Sequence, residues 1–338
     1  MQQTFFAIVA RRAACLALFV LVRFCSAATA GEMTSSLVIG NSRIDIYIEG
    51  NTLRLSDAEI IHWVQSAAES VSAYYGRFPV PHASIRIIPT DGRGVRNGRT
   101  FGDEGGGRIS IRVGNETIAA GLAMDWMLTH EIVHLSFPSV AEEHHWIEEG
   151  IATYVEPLAR IRAGHMKMEQ MWFELVRDMP QGLPKTGDKG LDHTHTWGRT
   201  YWGGALFCLV ADVEIRKQTK NAKGLEDALR GILDAGGDIR KDWKLEDALK
   251  AGDRATGVSV LLPQYEKMKD APVNVDLDAL WAQLGVHSDG AKVTFDDTAP
   301  LAATRRAISG EKLAAAAQRF PLTNPQAVFA GRSAVSRE

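Results

Sequence analysis

The sequence predicts an α+β fold, with a small N-terminal mixed β-sheet and one helix followed by a mostly helical part. Three observations carry that expectation. Residues 37–113 hold short alternating or β-branched runs separated by turn dipeptides. After Gly114-Asn115 the apolar spacing changes to the helical period. A length of 338 residues, 45% of them hydrophobic and 23% charged, suffices for one large domain or two smaller ones.

The elements follow in order. Residues 37–48 read as two strands around Gly40-Asn41. Ser56-Asp57-Ala58-Glu59 is a capping box that opens a helix running to about Tyr75, where Gly76 stops it. Ile60, Ile61, Val64, Ala68, Val71 and Tyr75 fall on one face of that helix. Ser84 to Ile88 reads as a strand, Thr90 to Gly107 as a Gly- and Arg-rich loop, and Arg108 to Val113 as another strand. Helices are then expected at about Ile118–Leu135, His145–Ala163 and Met166–Met179. A loop covers 180–199, and helix returns at about Tyr201–Lys217, Leu225–Ala235, Leu245–Ala251, 259–270 and 277–284. The tail after about Asp289 mixes signals, with an Ala-rich helix near 311–319 and a final stretch of disordered composition.

The first thirty residues have the order of a secretory signal peptide. Arg11-Arg12 precede the apolar run Ala13–Val22, and small residues lead to Ala28-Thr29-Ala30. That run of about 10 residues is too short to span a bilayer, which takes about 20. The expectation is an exported protein, periplasmic or secreted, with no stable membrane insertion after cleavage. Of the three cysteines, Cys15 and Cys25 lie in that segment, so Cys208 would remain alone and unable to form an internal disulfide. The net charge of −3 and the lack of a basic stripe argue against nucleic acid as a partner. The chain thus divides into 1–30 (signal), 31–117 (sheet and helix), 118–288 (helical) and 289–338 (C-terminal extension).

The chemistry concentrates at His130-Glu131-Ile132-Val133-His134, an H-E-x-x-H pattern inside an expected helix. Positions i and i+4 share a helix face, so both imidazoles can meet one ion. Glu131 projects beside that face, where it can reach a water on the ion. A catalytic zinc needs a third protein ligand and one open position. The stretch Trp146–Glu156 carries two adjacent carboxylates, Glu148 and Glu149. Adjacent helical positions diverge by about 100°, so only one can face the metal. His144 and His145 compete for the same place. His193 and His195 lie just before Tyr201, while His62, His82, His165 and His287 belong to no constellation. The glycines of 92–107 do not lead a strand into a helix, which argues against a phosphate-binding loop.

H-E-x-x-H followed by Trp146-Ile147-Glu148-Glu149-Gly150-Ile151-Ala152-Thr153-Tyr154 resembles the gluzincins, with their aminopeptidase N-like and glycyl aminopeptidase-like members. Tyr201-Trp202-Gly203-Gly204-Ala205 is similar to their Y-x-x-G-A segment. The resemblance covers about 120–220 and implies a zincin-type catalytic subdomain. It implies one zinc per chain held by His130, His134 and Glu149, with Glu131 as general base and Tyr201 stabilising the oxyanion. A peptide or protein substrate follows, and aminopeptidase action is one form of it. Two features depart from the family pattern. Only 14 residues separate His134 from Glu149, fewer than in the family. The G-x-M-E-N segment is absent, its place taken by Gly105-Gly106-Gly107-Arg108-Ile109-Ser110, which could serve as an edge strand, with Glu104 a candidate amine anchor. Two other function classes fit the same residues: an exported non-catalytic binding protein on a peptidase scaffold, and a zinc amidase acting on cell-wall material.

Overall fold

The computed structural model describes residues 34–310. The signal segment, with Cys15 and Cys25, and the Ala-rich stretch near 311–319 lie outside the described residues. Strands β1 (Ser35–Ile39) and β2 (Ser42–Ile48) form an antiparallel hairpin, and Gly40 takes the left-handed φ of 60° at its turn. Helix α1 (Asp57–Tyr75) opens on the Ser56–Glu59 capping box and closes on Gly76 at φ 80°. Strands β3 (His82–Thr90), β4 (Val95–Asp103) and β5 (Gly106–Gly114) complete a five-stranded sheet in the order β1-β2-β3-β5-β4. β2, β3 and β5 run parallel, while β1 and β4 are antiparallel to their neighbours. The sheet is mixed, and a mostly helical region follows it.

Alternation gives the sheet one dry face. Ile44 and Ile46, Ala83, Ile85 and Ile87, and Ile109, Ile111 and Val113 are buried, and they join Ile60, Val64, Ala68 and Val71 of α1 in one core. Ion pairs occupy more solvated positions, Arg86–Glu49 at 2.6 Å and Arg108–Asp103 at 2.6 Å.

β4 corrects the expected loop over Thr90–Gly107. Its glycines mark close neighbours rather than turns. A methyl group on Gly98 would lie 2.4 Å from the Glu131 side chain, and one on Gly102 would lie 2.2 Å from the Ile239 carbonyl oxygen. Only residues 104–105 form the turn into β5, which makes β4 the edge strand and places β5 inside the sheet.

The expected helix 118–135 is two helices, α2 (Ala119–Ala123) and α3 (Met127–His134). Asp125 explains the break: its carboxylate accepts the Met127 and Leu128 amides at 3.1 Å each and Trp63 Nε1 of α1 at 3.1 Å. The chain thereby restarts its helix at a half-buried acid anchored to α1. Helices α4 (His145–Arg162), α5 (Met168–Asp178) and α6 (Gly204–Thr219) follow. The remainder comprises α7 (Leu225–Asp234), α8 (Leu245–Thr256), α9 (Leu261–Met268) and α10 (Leu277–Leu284), the short hairpin β6 (Val286–Ser288) and β7 (Val293–Phe295), and α11 (Ala302–Ser309). Trp172 of α5 donates to Ser309 Oγ of α11 at 2.9 Å, so the segment after Asp289 continues the packed structure. Among the described residues no helix is long and apolar enough to cross a membrane.

α4 is the central helix, packed on α1, α3 and α6. It meets α6 backbone to backbone: a methyl group on Gly150 would lie 2.3 Å from Gly204 Cα, and one on Gly204 would lie 2.1 Å from the Trp146 carbonyl oxygen. Farther along, Asp212 of α6 accepts Tyr154 OH of α4 at 2.9 Å, Arg216 Nε at 2.8 Å and the Leu225 amide at 2.9 Å. Gly150→Ala is expected to overpack this crossing at a cost of about 1–3 kcal/mol. The check is thermal unfolding, with Tm falling by about 2–4 °C per kcal/mol in a domain of this size. A variant melting with the wild type contradicts the contact.

Candidate metal centre

α3 and α4 cross so that His130, His134 and Glu149 turn to one point. One ligand atom from each lies within 4.8 Å of the others. Glu149 Oε2 is 3.1 Å from His130 Nε2 and 3.7 Å from His134 Nε2. All three side chains are nearly enclosed, at 6%, 13% and 11% exposure, so water competes poorly for their lone pairs.

The electrostatics fit a cation. Burial, helped by the charge of His130, lowers the His134 pKa to about 3 and keeps its imidazole neutral with a lone pair to give. Burial opposes ionisation of Glu149, but hydrogen bonds with His130 and His145 outweigh it and hold the carboxyl well below the usual range. Two imidazoles and a carboxylate are an ordinary zinc donor set, with room for a fourth ligand.

Glu131 lies beside these ligands in the same cleft, against β4. Its Oε2 accepts Thr100 Oγ1 at 2.5 Å, and the same hydroxyl lies 3.0 Å from the Glu131 carbonyl oxygen. Gly98 lies against the carboxylate, since nothing larger fits there. Burial raises the Glu131 pKa, and the Thr100 hydrogen bond partly restores it. Strand residues 98 and 100 share one face, so the edge strand fixes this acid at two points.

Tyr201 belongs to a π-helical turn, Gly198–Gly203, that leads into α6. Its ring stacks on Trp197 at 5.7 Å and faces His130 at 6.3 Å. Burial, then the nearby Glu149 carboxylate, push its phenol up to about 12, so it remains a donor at neutral pH. Buried Arg199 anchors the turn through Asp188 at 2.7 Å and the Gly182 carbonyl at 2.5 Å.

A cleft of about 940 Å³ opens over these groups. Residues 96–102 of β4 line one side, Glu142, His145, Glu148 and Glu149 contribute acidic and imidazole groups, and Tyr201 reaches in. Exposed Phe101, Trp126 and Trp197 give its surroundings an aromatic character.

Other sequence candidates fall outside the cluster. Glu148 takes the Val140 amide at 3.2 Å and lies 3.0 Å from His145 Nδ1. His144 pairs with Asp192 at 3.0 Å, an acid that also accepts Trp146 Nε1 at 2.7 Å and Tyr265 OH at 2.9 Å. His193 pairs with Asp270 at 2.8 Å on the surface, and His195 is exposed. Glu104 occupies the exposed β4–β5 turn and is not among the cleft-lining residues. Thr100 and Gly98 were legible only as residue types, because their partner Glu131 is distant in sequence, and His145, a rival for the third ligand position, instead pairs with Glu148 and Glu149.

No protein-family model matches the chain, and no curated protein matches it in sequence. Its fold does have solved counterparts. An aminopeptidase N family protein from Idiomarina loihiensis superposes with TM-score 0.57 at 13% identity, over 76% of this chain and 50% of that one. The chain has an aminopeptidase N-like fold. An M1 zinc metallopeptidase from Deinococcus radiodurans is similar at TM-score 0.45 and 14% identity, over 72% of this chain and 52% of its own. The chain spans about half the length of each of these proteins.

Gly98→Ala would drive a methyl group into the Glu131 carboxylate. The expected outcome is a folded chain, by circular dichroism, destabilised by about 1–3 kcal/mol through overpacking and read as a lower Tm. A variant that melts with the wild type contradicts the close packing of β4 on α3.

Proposed function

We propose that the protein is an exported zinc-dependent metallopeptidase, periplasmic or secreted, that hydrolyses peptide bonds. The observation that supports this most is the convergence of His130, His134 and Glu149 within 4.8 Å, with Glu131 beside them in an open cleft. The signal-like order of residues 1–30 supports export. The aminopeptidase N-like fold is consistent with the same reading.

His130, His134 and Glu149 would hold one zinc ion per chain. When bound, zinc supplies a Lewis acid that polarises a carbonyl and lowers the pKa of water toward about 7. The remaining work falls to the chain. Glu131, held under β4 by Thr100, takes the proton from the attacking water and delivers it to the leaving amine. Its raised pKa suits both halves of that exchange. Tyr201 keeps its proton and donates to the oxygen that becomes negative in the transition state. The outer edge of β4 has no strand partner among the described residues and runs along the cleft, so an extended peptide can add to it as a strand.

Zinc analysis and a peptide-library digest of the purified protein test the reading. One zinc per chain with cleaved peptides is the expected result, whereas zinc without cleavage of any peptide favours the binding-protein alternative. Glu131→Gln should keep its zinc and lose at least about 100-fold in turnover, the lower range of general-base contributions. An active Glu131→Gln removes the assigned base. His134→Ala should lose the metal, and a stoichiometric ion in that variant contradicts the ligand set.

A further inference from the structure

His145 is the first residue of α4, so its side chain meets those of Glu148 and Glu149 at i+3 and i+4. The ring uses both nitrogens. Nδ1 lies 3.0 Å from Glu148 Oε2, and Nε2 lies 3.3 Å from Glu149 Oε1. Glu148 is itself fixed, because its other oxygen accepts the Val140 amide at 3.2 Å. Glu149 is left with Oε2 facing His130 and His134. A continuous path therefore runs from the backbone of the loop after α3, through Glu148 and the imidazole, to the far oxygen of Glu149.

We propose that His145 is a positioning residue for the metal centre: it grips the outer oxygen of Glu149 and so turns the inner oxygen toward the two imidazoles. The inference rests on the ligand set given under the proposed function and adds a residue to it. Three observations separate this role from its rivals. His145 is not in the group whose ligand atoms converge, so it is not itself the third ligand. Its side chain is 43% exposed, so it is not a core packing residue. Both of its nitrogens have carboxylate partners, so the ring cannot rotate without breaking an interaction. A glutamate has three side-chain torsions, and freezing them from the outer oxygen lets the ligand bind without ordering itself first. The same grip accounts for two acids side by side: Glu148 aims the imidazole and Glu149 receives it.

The test is zinc affinity of the full-length protein, measured by competition with a chromophoric chelator, alongside thermal melts of the zinc-free chains. His145→Ala is expected to weaken zinc binding about 10- to 100-fold, the usual cost of removing a group that orients a ligand. Its zinc-free melt should stay near wild type, which a purely structural role would not allow. His145→Gln keeps an amide donor within reach of Glu149 and should recover part of the affinity. It also carries the test if the alanine variant fails to fold. Wild-type affinity in both variants overturns the positioning role while leaving the ligand set intact. A wild-type chain that takes up no zinc overturns the ligand set, and the positioning role falls with it.

Discussion

Glu149 and Gly150 are neighbours on α4 that face different directions, and this pair constrains the whole centre. One carries a carboxylate toward α3, and the other brings bare backbone against Gly204 of α6. Successive helical residues diverge by about 100°, so the two contacts cannot be adjusted separately. The α4–α6 approach sets the rotation of α4, and that rotation sets where Glu149 points. Because Tyr201 precedes α6 by a single turn, the same crossing carries the phenol to the opposite side of the cleft.

Such a centre asks the core to hold charge, and the rest of α4 shows how it does so. Burying one ion without a partner costs several kcal/mol, so each buried group is answered locally. Asp212 is met by a phenol, a guanidinium and an amide, Arg216 also reaches Glu226, and Arg162 pairs with Glu226 while lying over the Tyr74 ring at 4.4 Å. Glu156 pairs with Arg160 at 3.0 Å, and burial still raises its pKa to about 7. These pairs tie α1, α4, α6 and α7 together behind the cleft. The acid that divides α2 from α3 does the same in front, holding the start of α3 to α1.

What the sequence displayed was mostly local physics. The Ser56 cap, the Gly76 stop, the alternation of Ser84–Ile88 and the H-E-x-x-H spacing are each decided within a turn or two of chain. What it hid was decided at long range. β4 looked like a loop because glycine ordinarily signals a turn, whereas Gly98 and Gly102 answer to Glu131 and Ile239. Asp125 looked like an ordinary helical residue until its reach to Trp63 was visible. The short connection from His134 to Glu149 left the choice between neighbouring acids open, and only the crossing of α3 and α4 brings one of them to the imidazoles. Thr100 gave no signal, since a threonine on a strand has many uses and only proximity singles out one.

The two-residue period of β4 has a consequence for how this scaffold could diversify. Gly98 and Thr100 are tied to Glu131 of α3 and Gly102 to the Ile239 backbone, so a change at any of them disturbs close packing. Arg99 and Phe101 alternate with them, exposed along the cleft. One ribbon of chain thus has a tightly packed face on one side and an open one on the other. Side chains at Arg99 and Phe101 can therefore be exchanged to reshape the cleft wall, while the close packing behind the strand stays as it is.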